Sequence, residues 1–261
     1  MGIRLAMEVT WLEIVLAPLV GFLAGFTGTL LGIGGGSVMV PTLVLAGIDI
    51  KKVVPASLFA ILGTSAGGLR KLYNRGLVDY KLAFTLETAS VTGALIGVYF
   101  FGKESSSIIE ALLGVVLIAT GFLFVYKQER GGSGGSDYTG KPLRLSMALI
   151  VSLLAGFLSA TLGIGGGVLK VPILVVILGL EIHKAVSTSK LMVGITALTG
   201  VLGYLYTGHM DFILALLLLT GTYLGAKASA GIMLELKGKW LMILAASYYF
   251  IMGVIMILKS M

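Results

Sequence analysis

Two runs of three glycines and two lysines are the residues of this chain whose types and spacing could hold a small anion. The runs are Gly34, Gly35 and Gly36, and Gly165, Gly166 and Gly167, each preceded by Leu-Gly-Ile and followed within a few residues by Val-Pro. Consecutive glycines give up helix propensity by about 1 kcal/mol each. Pro41 and Pro172 lack an N–H and push the residue before them away from the helical region. The backbone over 32–40 is therefore expected to be irregular, with N–H groups freed to face a negative charge, as at helix N-termini and glycine nests. Lys170 and Lys190 could add positive charge, since a lysine deep in an apolar segment either snorkels or faces a cavity.

The runs are copies of one another. Residues 22–43 and 153–174 are identical at 13 of 22 positions at a constant offset of 131. Beyond the motif the offset becomes 132, pairing Gly47 with Gly179, Ser57 with Ser189, Gly76 with Gly208, Asp79 with Asp211 and Gly93 with Gly225. The duplication covers nearly the whole chain. Lys170 and Lys190 have no charged counterparts, because Met39 and Leu58 occupy the aligned positions.

The elements that carry these residues are apolar throughout. Of 261 residues, 57% are hydrophobic and only 12% are charged, with mean hydropathy +1.04. Soluble domains carry about 25% charged residues, so an all-α polytopic membrane protein is expected. Each half divides into five apolar pieces: 12–31, 37–47, 53–69, 82–102 and 106–126, then 145–162, 168–180, 185–206, 212–234 and 240–258. The net charge of +7 is assigned to cytoplasmic loops rather than to nucleic acid. With no cysteine, disulfides and thiolate chemistry are excluded. No cofactor is expected, and two isolated histidines, His183 and His209, do not make a metal site.

Residues 12–47 would form roughly 54 Å of continuous helix against about 30 Å of hydrocarbon, too long for one crossing and short for two. A re-entrant hairpin with the glycines at its tip resolves this, followed by three spanning helices in each repeat. The loop near 70–81 carries Arg70, Lys71, Arg75 and Lys81, whereas its counterpart near 202–213 carries no Lys or Arg. If cytoplasmic loops collect positive charge, the loop 70–81 is cytoplasmic and the two repeats are inverted, the arrangement of many secondary transporters. The units are read as 1–127, a Gly/Ser-rich linker over 128–142, and 143–261, with the stretch 127–144 cytoplasmic.

Other residues have plainer readings. Gly21/Gly25 and Gly93/Gly97 are expected to pack helices closely, and Lys227 to snorkel. Glu87, the one carboxylate well within a first-half span, is expected near the cytoplasmic end beside a loop cation, with proton relay as the alternative. Gly63-Thr64-Ser65-Ala66-Gly67 fits the nucleophile-elbow pattern of a serine hydrolase, but that motif needs a strand-turn-helix setting, and an enzyme is not expected.

With its two Leu-Gly-Ile-Gly-Gly-Gly…Val-Pro copies (Leu31–Pro41 and Leu162–Pro172) and Ser187-Thr188-Ser189-Lys190, the chain resembles the sulfite-exporter TauE/SafE permeases. The resemblance spans both halves and implies that the Thr188 and Ser189 hydroxyls reach the anion, with Ser57 as their first-half counterpart, although Pro55-Ala56-Ser57 stands where a Thr-Ser pair would be expected. It implies transport of a small organic or inorganic sulfur anion, sulfite or an organosulfonate, across the cell membrane. Alternating access with the anion between the glycine tips, a proton or sodium as coupling ion, and a homodimer in the lipid bilayer are the accompanying expectations. A permease for a cation or neutral solute, and a non-transporting membrane scaffold, are the rival readings.

Overall fold

The computed structural model describes residues 11–73, 75–101, 105–129, 142–235 and 238–260. Every regular element among them is helical: α1 (Trp11–Leu31), α2 (Gly36–Leu45), α3 (Ile50–Tyr73), α4 (Tyr80–Phe101) and α5 (Ser106–Glu129) in the first half. The second half repeats the order with α6 (Pro142–Leu162), α7 (Gly167–Pro172), a π-helical turn (Ile173–Ile177), α8 (Ile182–Thr207), α9 (Phe212–Glu235) and α10 (Gly238–Ser260). Helix is the form that satisfies each backbone group within its own segment, which lipid demands. Among the described residues five helices are long and apolar enough to cross a membrane: α1, α4, α6, α8 and α9. Most of the linker expected over 128–142 lies outside the described residues.

The two halves interlock rather than sit side by side. Helix α1 packs on α9 through Gly21, Gly25, Gly221 and Gly225, and its counterpart α6 packs on α4 through Gly93, Gly97 and Gly156. A Cβ at Gly21 would stand 2.7 Å from the Leu218 carbonyl and one at Gly97 2.5 Å from that of Phe157, so these glycines are the small-residue packing sites expected. Equivalent helices meet in opposite directions. Leu58 of α3 faces Gly200 of α8 while Ser65 faces Lys190 and Gly194, and Gly114 of α5 faces Gly253 of α10 while Gly121 faces Ala246.

The irregular backbone is shorter than the expected 32–40. Helix α2 begins at Gly36 and runs through Pro41. Proline removes the hydrogen bond to the carbonyl four residues earlier, and here that carbonyl, of Ser37, accepts instead from the Tyr248 hydroxyl of α10 at 2.8 Å. An outside donor thus lets the helix continue through its proline. In the second half the residues after Pro172 widen into the π turn, one of the local adjustments by which a helix accommodates the break.

Candidate functional site

Each glycine of the tracts has its own physical reason. Helix α1 ends as Gly32 turns left-handed (φ 72°) and the Ile33 N–H donates to the Gly28 carbonyl at 3.0 Å, closing the helix as a glycine cap does. Gly34 and Gly35 are also left-handed, at φ 84° and 85°, and Gly163, Gly165 and Gly166 repeat the triplet at 69°, 73° and 70°. Side chains there would be strained. Gly36 and Gly167 are helical but leave no room: a Cβ on Gly36 would stand 2.7 Å from the Ile164 Cα, and one on Gly167 would stand 2.6 Å from the Ile33 Cα.

These contacts place the two tracts against each other at the heart of the molecule, running in opposite directions. Ile61 of α3 and Val193 of α8, equivalent residues of the repeats, both face Gly34 and Gly165. Ser57 and Ser189 brace the crossing reciprocally. The Ser57 Oγ lies 2.8 Å from the Gly163 carbonyl, and the Ser189 Oγ lies 2.9 Å from the Gly32 carbonyl. Each serine belongs to one repeat and holds the tract of the other. Thr188 is elsewhere, its hydroxyl accepting from the Asp79 N–H at 3.0 Å in the loop before α4.

The serine braces carry a prediction. Membrane hydrogen bonds of this kind contribute about 0.6 kcal/mol each, so Ser57→Ala and Ser189→Ala should each lower thermal stability slightly and to a similar degree. A fall in ligand affinity at unchanged stability would assign the hydroxyls to the ligand instead.

The two lysines, both buried, have opposite surroundings. Lys170 on α7 is fully buried and its Nζ lies 2.7 Å from Glu87 Oε1 of α4, with the Met192 carbonyl at 2.9 Å and the Thr196 hydroxyl also in contact. Glu87 is itself 2% exposed, and its Oε2 accepts from Thr196 at 2.6 Å. The expectation of a loop cation beside Glu87 is thereby corrected: its partner is a fully buried lysine of the other repeat. Lys190 on α8 is 2% exposed, and its Nζ donates to the Thr29 hydroxyl of α1 at 2.5 Å. Gly68 of α3 leaves room for that ammonium, since a Cβ there would stand 2.6 Å from the Lys190 Cε. Among the described residues no carboxylate lies within ion-pair distance of Lys190.

Thr29, Gly68 and Thr196 were not singled out by the sequence, which carries no motif at those positions; only the α1–α3–α8 and α4–α7–α8 junctions bring them to the lysines. Ser65 lies inside α3 and points at the Lys190 carbonyl at 3.2 Å. The strand-turn-helix setting of a nucleophile elbow is thus missing from that segment. Lys227 lies on the exposed face of α9.

The sequence pattern of the "Sulfite exporter TauE/SafE" family matches residues 17–256, a stretch that includes both tracts and both lysines. The chain belongs to that family. A "Probable membrane transporter protein YunE" of Bacillus subtilis is 25% identical over 93% of this chain and 96% of the relative. The corresponding figures for "Probable membrane transporter protein MJ0441" of Methanocaldococcus jannaschii are 27%, 94% and 97%. A "Probable membrane transporter protein" of Haemophilus influenzae is 31% identical over 75% of each chain. No solved structure matches. This TauE/SafE protein is thus a multi-pass membrane protein of a transporter family, with the duplicated glycine motif at its centre.

Proposed function

We propose that this TauE/SafE protein is a secondary transporter of a small sulfur-containing anion, sulfite or an organosulfonate, which it carries by alternating access of two inverted repeats. The observation that carries the reading is Lys190, a buried lysine with no carboxylate within ion-pair distance among the described residues. An isolated charge in a low-dielectric interior is costly unless something compensates it. A transported anion supplies the missing charge, whereas a transported cation would add to the cost. Lys190, Thr29 and the edge of the first tract at Gly32 form the binding corner, with Gly34–Gly36 and Gly165–Gly167 as the moving tips. The family description favours a sulfur oxyanion as the substrate. Inversion is supported by the opposed directions of α3 and α8 and of α5 and α10. The basic loop 70–81 then lies on the cytoplasmic side.

Alternating access would separate and re-form the contact between the tracts, because that contact joins the two repeats and the breaks of inverted-repeat transporters meet near the bilayer midplane. The same close packing of backbone on backbone is what a non-transporting scaffold would show, so flux decides between the two. Proteoliposomes offered sulfite, sulfoacetate, taurine, sulfate, a divalent cation and a neutral solute should show saturable movement of a sulfur oxyanion only. Folded protein that moves none of them would turn the reading to the scaffold.

A further inference from the structure

The ion pair on the far face of α8 has no counterpart in the other repeat. Where the second half has Lys170 and Thr196, the first has Met39 and Thr64, and where the first half has Glu87, the second has Leu219. The equivalent place carries no charged side chain, and Met39 there is fully buried. The fold therefore does not need ions at this junction. A buried ion pair commonly adds nothing over apolar side chains of similar volume, because removing both charges from water offsets their attraction. Its presence in one repeat only asks for a role in transport.

We propose that Glu87 is the proton-binding site that couples anion movement to proton movement in this transporter, an inference that rests on the anion-transport reading above. In the present conformation the Glu87 carboxylate is the counter-ion of Lys170. Lys170 is carried by α7, the short helix that leaves the second tract, and its Cε lies 3.2 Å from where a Cβ on Gly166 would stand. Any motion that parts the tracts by moving α7 also draws Lys170 away from α4. Glu87 left alone in the interior takes up a proton to become the neutral acid, while Lys170 keeps its proton and the anion held at Lys190 supplies the negative charge that Glu87 gives up. The negative charge lost at Glu87 is replaced by that of the anion, and one proton enters for each anion.

The groups that could substitute for either partner face elsewhere. Helix α7 contributes Lys170 alone, and α8 contributes Thr196, its Lys190 being turned to Thr29 of α1. The other titratable groups in the membrane-spanning part of α8 toward its start, His183 and Lys184, lie in its first turn, where they meet Glu181 and Asp79. Helix α6, packed along α4, has Arg144 as its one charged residue, in its own first turn. Ser90 of α4 bonds Thr196 at 3.0 Å and so holds the hydroxyl that orients the carboxylate.

The test uses proteoliposomes with the voltage held at zero and sulfoacetate as the probe, because its charge is constant near neutral pH. A gradient of one pH unit, acid outside, should concentrate sulfoacetate about tenfold in vesicles bearing the wild-type protein, the ratio equivalent to one proton per anion. Glu87→Gln should bring the ratio to one. A tenfold ratio retained by Glu87→Gln, or wild-type equilibration without accumulation, would overturn the proposal. Should Glu87→Gln yield no folded protein, proton uptake on sulfoacetate binding to the wild type decides: about one proton per anion supports the site, and binding without uptake removes it. Absence of binding and flux for sulfoacetate, sulfite and sulfate alike would instead remove the anion-transport reading, and this one with it.

Discussion

Lys190→Met should lower affinity for the transported anion by about one to two orders of magnitude, the range expected for a hydrogen bond to a charged group at about 1.5–3 kcal/mol, while the protein still folds. Methionine is close in length to lysine and brings no charge. The pocket formed by Gly68 and Thr29 around the Lys190 side chain remains filled. Because Lys190 has no carboxylate partner among the described residues, its removal orphans no opposite charge. The contrast with Lys170 is the control. Lys170→Met would leave Glu87 buried without its cation and should destabilise the protein strongly, since breaking a buried pair by removing one partner costs about 3–5 kcal/mol. Isothermal titration with sulfoacetate, together with a melting curve for each variant, separates the two. Unchanged affinity in Lys190→Met would take that lysine out of the binding corner.

Gly36→Ala and Gly167→Ala are expected to give the second large effect, loss of both stability and flux, from the addition of a single methyl. Each new Cβ would press on backbone of the opposite tract, at 2.7 Å from the Ile164 Cα and 2.6 Å from that of Ile33. Flexible side chains yield to such contacts, but backbone held by a left-handed glycine on either side does not. Overpacking of a tight core costs about 1–3 kcal/mol, and the tracts must shift apart to relieve it. The neighbouring Gly35→Val adds a different penalty, because Gly35 has φ 85°, a region that disfavours L-residues by about 1–2 kcal/mol. Thermal melting and proteoliposome flux would check all three. Alanine variants with unchanged melting and full transport would mean that the tracts do not pack as described.

Legibility of the site differs from residue to residue. Gly34, Gly35, Gly165 and Gly166 could be read from the chain because left-handed backbone is a local property of glycine, visible as composition. Gly36 and Gly167 could be marked as special, but not for the reason found. Their constraint is the other tract, 131 residues away in sequence. Ser57 and Ser189 could be paired by alignment, yet the hydroxyls brace carbonyls of the opposite repeat rather than standing open. The irregular stretch proved shorter than the prolines suggested, because Tyr248 supplies from α10 the donor that rescues the Ser37 carbonyl.

The sequence by itself determined the membrane class, the duplication, the positions of the ten α-helices among the described residues to within a few residues, and the family. Those follow from local quantities: hydropathy over a span, glycine and proline chemistry, and identity at a fixed offset. Tertiary structure alone decided which lysine meets a carboxylate. A helix apolar all round gives no periodic stripe from which its facing can be read, so nothing along the chain distinguishes Lys170, turned toward Glu87, from Lys190, turned toward Thr29. That choice was made by the interlocking of the repeats, which sets α7 against α8 beside α4 and sets the other face of α8 against α3 and α1.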